Sequence, residues 1–251
     1  MSSTPRFFIS KSEFRGDKVT ITGTDANHIY RVLRLREGDG ITVCDMQKNV
    51  YDGILTFVSA DCAEAALSNC RPSPAEPPYE ITLYQGMPKG DKPDTIVQKA
   101  VELGVTRVVP VMCERAVSRP DEKSMDKKII RLNRIAAEAA KQCGRGIVPQ
   151  VMPAVSYKQM TDELCTADLS FICYEGDGVL PLREIIEKAE SFKSVAFYIG
   201  PEGGISAGEI ELAKQRKIPL AGLGKRILRT ETAPLFVLSA LSVLAERNQF
   251  N

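Results

Sequence analysis

The chain has 251 residues, 33 Lys and Arg against 32 Asp and Glu, a formal net charge of +1 and 43% hydrophobic residues. That length holds one large domain or two smaller ones. The near-neutral balance excludes capture of a polyanion by the global field and leaves local basic patches as the electrostatic route to nucleic acid. Seven cysteines with no C-x-x-C pair, and one histidine, argue against a metal site and fit a reducing, cytoplasmic setting. No signal pattern opens the chain, and its longest apolar run, Ala233 to Ala245, is too short to span a bilayer, so no membrane partner is expected.

Residues 6 to 68 read as short strands: Arg6 to Ser10, Lys18 to Thr22, Gly40 to Asp45, Val50 to Val58 and Ala63 to Leu67. Turn signals such as Arg15-Gly16-Asp17 separate them, and the pattern predicts a small β-barrel. Asp25 to Leu35 breaks it, with Ile29, Val32 and Leu33 at helical spacing and Asp25 as its expected cap. The other face carries Arg31 and Arg34, which read either as solvated charges or, with Arg6, as a phosphate-contacting patch. His28 has no catalytic companion nearby and reads as structural. Pro72, Pro74, Pro77 and Pro78 then interrupt both periodicities, marking residues 73–78 as a stiff linker between units 1–72 and 79–251.

Beyond it strand and helix alternate, predicting an α/β domain with a largely parallel sheet. Strands are expected at Glu80 to Gln85, Val105 to Met112, Leu169 to Cys173, Val195 to Ile199 and Pro219 to Leu223. Helices are expected at Pro93 to Leu103, Asp126 to Cys143, Leu182 to Ala189, from the Ser206/Glu209 capping box to Arg216, and at Leu235 to Leu244. Ligands in such sheets bind beyond the carboxyl ends of the strands. Three loops there stand out: Gly86 to Lys92, Gly200 to Gly204, and Leu223 to Ala233, which sets three cations, an acid and two threonines between buried elements. Gly203 and Gly204 suit positive φ and close backbone approach to a ligand, or simply a tight turn. Neither a Walker A motif nor a strand-linked G-x-G-x-x-G is present, which disfavours nucleotide hydrolysis and Rossmann chemistry.

Ile199-Gly200-Pro201-Glu202-Gly203-Gly204, followed by Leu223-Gly224-Lys225-Arg226-Ile227-Leu228-Arg229-Thr230-Glu231-Thr232-Ala233, resembles the RsmE family of 16S rRNA uridine-N3 methyltransferases, of the SPOUT (trefoil-knot) superfamily. Pro88 to Asp91, Lys99 to Gly104, Glu138 to Arg145, Arg6 to Phe8 and His28 to Arg34 also fit, so the resemblance covers nearly the whole chain. It implies a PUA-like RNA-binding β-barrel followed by a knotted α/β methyltransferase domain. The implied activity is methylation of N3 of a uridine in the decoding region of 16S rRNA, on the small ribosomal subunit, by a homodimer using S-adenosyl-L-methionine. Carried over residue by residue, the cofactor would contact Tyr174, Ile199, Gly200, Pro201, Glu202, Gly203, Leu223, Gly224, Ile227, Leu228 and Thr230, with Leu223, Ile227 and Leu228 as walls for the adenine.

The catalytic candidates are Arg229 and Glu231. Arg229 would stabilise the anion developing on the base, its other reading being a salt bridge to Glu231 or Glu202. Glu231 lies near a helix N-terminus, where the dipole makes a carboxylate a poorer base, and it reads as an orienting group. Lys89 and Arg145 join Arg6, Arg31 and Arg34 as candidate RNA contacts. Two alternatives remain open at this level: another SPOUT specificity (ribose 2′-O or guanine N1), and a non-catalytic RNA-binding assembly protein. A Rossmann oxidoreductase is a distant third.

Overall fold

The computed structural model describes residues 4–116, 121–189 and 191–245. The chain divides into two units, Met1–Glu76 with Ala140–Val148, and Pro77–Ala139 with Pro149–Asn251.

In the first unit, β1 (Arg6–Phe8), β2 (Phe14–Arg15), β3 (Lys18–Thr22), β4 (Gly40–Cys44), β5 (Asn49–Val58) and β6 (Cys62–Pro72) form one sheet in the order β1-β4-β5-β6-β3-β2. Only β1 with β4 pairs parallel, and the other pairs are antiparallel. Alternation sets the inner face: Val19 and Ile21 are buried while Lys18 and Thr22 are exposed. Phe7, Ile41, Val43, Leu55, Ala63 and Ala65 join them in one cluster, closed by Ile29, so the sheet wraps a single core as a barrel does. The five expected strands are present, and β6 runs on to Pro72. The two-residue β2 is too short to leave a periodic pattern.

The helical break is α1 (Gly23–Asn27) continuing into a π-helical turn, His28–Leu33, that ends at Arg34 with φ 54°. Asp25 does not cap it. Thr22 holds the cap position without a side-chain bond, and Asp25 instead accepts from Lys141 Nζ at 3.2 Å. Ile29 is buried and Leu33 packs half-buried against the same core, leaving Tyr30, Arg31, Val32 and Arg34 exposed.

Residues 73–76 are built into this unit rather than forming a free linker. Ser73 N–H donates to the Lys48 carbonyl at 2.7 Å. Glu76 accepts from Arg145 Nε at 2.9 Å, Arg145 Nη2 at 2.8 Å and the Gly146 N–H at 2.8 Å. Arg145 is 1% exposed, so the expectation that it contacts RNA is corrected: its guanidinium is committed to a buried carboxylate. Arg6 is half-buried and donates to Cys44 Sγ at 3.0 Å and to the Arg145 carbonyl at 3.2 Å.

In the second unit the strands are β7 (Glu80–Gly86), β8 (Arg107–Met112), β9 (Gln150–Val151), β10 (Val155–Ser156), β11 (Leu169–Cys173), β12 (Leu180–Pro181), β13 (Ser194–Ile199) and β14 (Leu220–Gly222). The helices are α2 (Lys92–Glu102), α3 (Glu122–Cys143), α4 (Tyr157–Leu164), α5 (Leu182–Lys188), α6 (Ala207–Gln215) and α7 (Ala233–Ala245). The sheet runs β10-β8-β7-β13-β11-β14-β12 with β9 beside β8, and every pairing is parallel. The middle strands β7 and β13 are buried on both faces after their first residue, which is why β13 reads as an apolar run and β7 as one interrupted only by the buried Thr82 and Gln85. Parallel pairing brings the ends of β7, β13, β11 and β14 to one edge, and the loops leaving it carry the residues singled out above. Helix α4, with a capping box from Ser156 to Gln159, was not anticipated, although its S-x-x-Q signal is in the sequence.

Truncation of one partner of the Arg145–Glu76 pair leaves the other charge buried. E76A is expected to cost about 3–5 kcal/mol, and E76L/R145M less than E76A, measured by urea unfolding.

Candidate functional site

A cavity of about 520 Å³ opens where the chain leaves β11, β13 and β14. Of the predicted cofactor residues, Tyr174, Ile199, Gly200, Pro201, Glu202, Leu223, Gly224, Ile227, Leu228 and Thr230 line it. Gly203 does not. It lies against Arg115, whose carbonyl a Cβ at Gly203 would approach to 2.8 Å. Ile227 lines the mouth, but its side chain is 85% exposed, so it does not form the enclosed wall expected of it. That wall comes from Ile199, Leu223, Leu228, Val179 and Ala233. Cys173 is also part of the lining, with burial holding its thiol far above its ordinary value, so it acts as an inert apolar surface.

One buried hydroxyl ties the site together. Thr230 Oγ1 donates to the Gly200 carbonyl at 2.7 Å and accepts from Gln85 Nε2 at 3.0 Å. The same Gln85 nitrogen donates to the Gly86 carbonyl at 3.0 Å and lies 3.5 Å from the Ile199 carbonyl. The ends of β7 and β13 and the entry to α7 are thereby held at one point. Beside it the chain closes tightly enough that a Cβ on Gly86 would meet Pro201 N at 2.8 Å and Tyr198 Oη at 2.9 Å, so this position requires glycine. The turn at the mouth places Gly204 at φ 70°, the conformation that the Gly203-Gly204 pair suggested.

The charges sit at the rim. Lys92 Nζ, from the start of α2, bonds Glu202 Oε1 at 2.9 Å and pairs with Glu231 Oε2 at 3.4 Å. Glu202 Oε1 also accepts the Lys89 N–H at 3.3 Å. Burial raises the Glu202 carboxyl, but Lys92 and the backbone N–H bonds outweigh it and hold the group below its ordinary 4.5. The bond to Glu202 raises Lys92 above its ordinary 10.5, burial opposing. Arg229 approaches Glu231 Oε1 only at 3.9 Å, is 82% exposed and lines the mouth of the cavity. Lys225 and Arg226 are exposed beside it. Lys92 was missed by sequence reasoning. Its only signal was its place after Pro88-Lys89-Gly90-Asp91 at a helix start, because both its partners are remote in the chain. Arg31 and Arg34 are exposed on the first unit, and the Lys89 side chain is exposed near the cavity loops.

A backbone-lined apolar pocket with a cationic rim suits a small ligand held within and a polyanion held outside. The RNA methyltransferase domain family matches residues 75–242, and the RNA methyltransferase PUA domain matches residues 21–64. Fold and site thus define an RNA methyltransferase with a PUA domain. The chain is 34% identical to the ribosomal RNA small subunit methyltransferase E of Bacillus subtilis, over 96% of this chain and 97% of that protein. It is 29% identical to the Synechocystis protein of the same name, over 96% and 78%. Among solved structures, the Neisseria gonorrhoeae ribosomal RNA small subunit methyltransferase E bound to S-adenosyl methionine superposes with TM-score 0.85 at 33% identity, covering 96% of this chain and 98% of that one. A Legionella pneumophila protein in complex with its bound cofactor SAM gives TM-score 0.81 at 27% identity, covering 96% and 98%. The chain belongs to the ribosomal RNA small subunit methyltransferase E family.

T230V leaves the Gly200 carbonyl and the Gln85 amide without their shared partner and is expected to cost about 1–3 kcal/mol in urea unfolding, with T230S close to wild type. For Lys92 the sign is set by two shifts. The lowered Glu202 contributes stability that is complete above 4.5 and lost as pH falls through its folded value. The raised Lys92 contributes stability that is complete below 10.5 and lost as pH rises through its folded value. The Tm difference between wild type and K92M should therefore be flat from about pH 5 to 10 and shrink at both extremes.

Proposed function

We propose that this chain transfers the methyl group of S-adenosyl-L-methionine to N3 of a uridine in the decoding region of 16S rRNA, uridine 1498. The observation that carries this reading is the cavity at the ends of β11, β13 and β14, whose lining holds all but one of the residues expected at the cofactor. Its 520 Å³ lies within the roughly 300–1,000 Å³ of small-molecule sites. The donor set fits the cofactor's chemistry. Ile199, Val179, Leu223, Leu228 and Ala233 offer apolar surface for adenine, main chain at Gly200, Glu202 and Gly204 and from Gly222 to Thr230 offers hydrogen-bonding groups, and Glu175 offers negative charge toward an ammonium or a sulfonium. When bound, S-adenosylmethionine supplies a methyl group activated on a cationic sulfur.

The chain's own residues then have separate tasks. Thr230, held by Gln85 and Gly200, fixes the cavity walls so that the reacting atoms meet in line, a positioning effect worth up to about 7–11 kcal/mol. Arg229, exposed at the mouth, stabilises the charge on uracil as N3 gives up its proton to solvent water. Glu231, paired with Lys92 and facing Arg229, orients that guanidinium. In the same reading residues 1–72 are the RNA-binding barrel, with contacts from Arg31 and Arg34, from Arg6 through the part of its side chain left exposed, and from Lys89 near the catalytic site. Residues 79–251 form the catalytic unit, its segment before α7 threaded as a trefoil knot. The enzyme works as a cytoplasmic homodimer on the small ribosomal subunit.

Nucleoside mass spectrometry of 16S rRNA from a strain lacking the gene, with and without complementation, tests this. 3-Methyluridine present only with the gene supports the reading. Loss of a ribose or guanine methyl instead, or of none, overturns it. R229A is expected to lower turnover about 10²–10³-fold while calorimetry shows cofactor affinity intact, and lost affinity would contradict that division of roles.

A further inference from the structure

Ile227 is the most exposed of the large hydrophobic residues described, at 85%. A lone surface hydrophobic needs no explanation. This one differs in its surroundings. It stands at the mouth of the cavity between exposed Arg226 and half-buried Leu228, with exposed Lys225 and Arg229 close in sequence. Neither Lys225 nor Arg226 has an ion-pair partner among the described residues, and Arg229 has only Glu231 at 3.9 Å. Leu223 and Leu228 line the cavity half-buried, while the loop leaves its isoleucine in water among cations, forgoing the stabilisation that burying such a side chain gives. Cations alone fit a phosphate backbone. An apolar side chain standing among them fits a nucleic acid whose stacked bases have been parted.

Such a parting is what the proposed reaction demands, and the inference rests on that reading. N3 lies on the Watson–Crick edge of uracil, hidden while the base is paired and stacked, so the base must leave its stack to present N3 to the cavity. The vacated step has an apolar face above and below and charged phosphates at its sides. Branched apolar side chains wedge into steps of this kind elsewhere, where they part the stacked bases.

We propose that Ile227 is an RNA wedge. It enters the step that the target uridine vacates, while Lys225 and Arg226 hold the flanking phosphates. Its main chain stays part of the cavity rim, and its side chain acts on the RNA.

The test compares wild type, I227A and I227L on small subunits reconstituted with 16S rRNA, either unmodified or carrying an abasic nucleotide on each side of the target uridine, so that one substrate has a stacked base and the other a free one. I227A is expected to lose about tenfold or more in turnover on the stacked substrate and little on the unstacked one, because only the stacked base needs help to leave its stack. I227L, which keeps the apolar volume, is expected to restore turnover on the stacked substrate. An equal loss on both substrates overturns the wedge. So does a fall in S-adenosylmethionine affinity by calorimetry in I227A, which would return the side chain to the cofactor wall. A changed sedimentation coefficient in I227A would assign the residue to a face between copies of the chain and overturn it as well. If wild type leaves N3 unmethylated on both substrates, the proposed function itself fails, a result distinguishable because it needs no variant.

Discussion

The site depends on one hydroxyl. Thr230 sits where β7, β13 and the entry to α7 come together, and it bonds the Gly200 carbonyl and the Gln85 amide nitrogen at once. A parallel sheet ends in carbonyls and N–H groups with no further strand to pair them, and buried polar groups left unpaired are costly. Here those groups are paired by a side chain from the segment that also lines the cavity. The pocket floor is therefore set by the same bonds that finish the sheet, and Gly86 lets Pro201 close over it.

Above that floor, the charges sit at the rim. Lys92 joins Glu202, which lines the cavity, to Glu231, which does not, and offsets the repulsion between the two acids. The remaining cations, Lys225, Arg226 and Arg229, line the mouth with their side chains exposed. Apolar side chains such as Ile199 and Leu228 line the cavity too, so the exposed positive charge gathers at its entrance. This gathering explains how a molecule with a net charge of +1 presents a local basic surface at its candidate site.

Much of the frame was legible in the sequence because burial leaves a pattern. Strands β7, β11 and β13 are largely covered on both faces and read as mostly apolar segments, and the first-unit strands alternate because one face is wet. The loops at the cavity were legible because glycines and charges cluster between such runs. What escaped had no local pattern or a long-range cause. β9, β10 and β12 have two residues each, and α4 was overlooked despite its capping box. Nothing near Arg145 in sequence reveals that Glu76, far back in the chain, takes its charge and buries it. Lys92 and Thr230 likewise acquire their roles from partners more than a hundred residues away. Ile227 looked like a wall because apolar residues beside a pocket usually are, and only its exposure separates it from Leu228.

The central claim is that the loops joined through Thr230 hold the methyl donor. Hydrogen exchange of the full chain with and without S-adenosylmethionine tests it most directly. Slowed exchange confined to residues 199–204 and 222–230, with the end of β11, is the result predicted. Unchanged exchange there, or protection centred on the first unit, would contradict it.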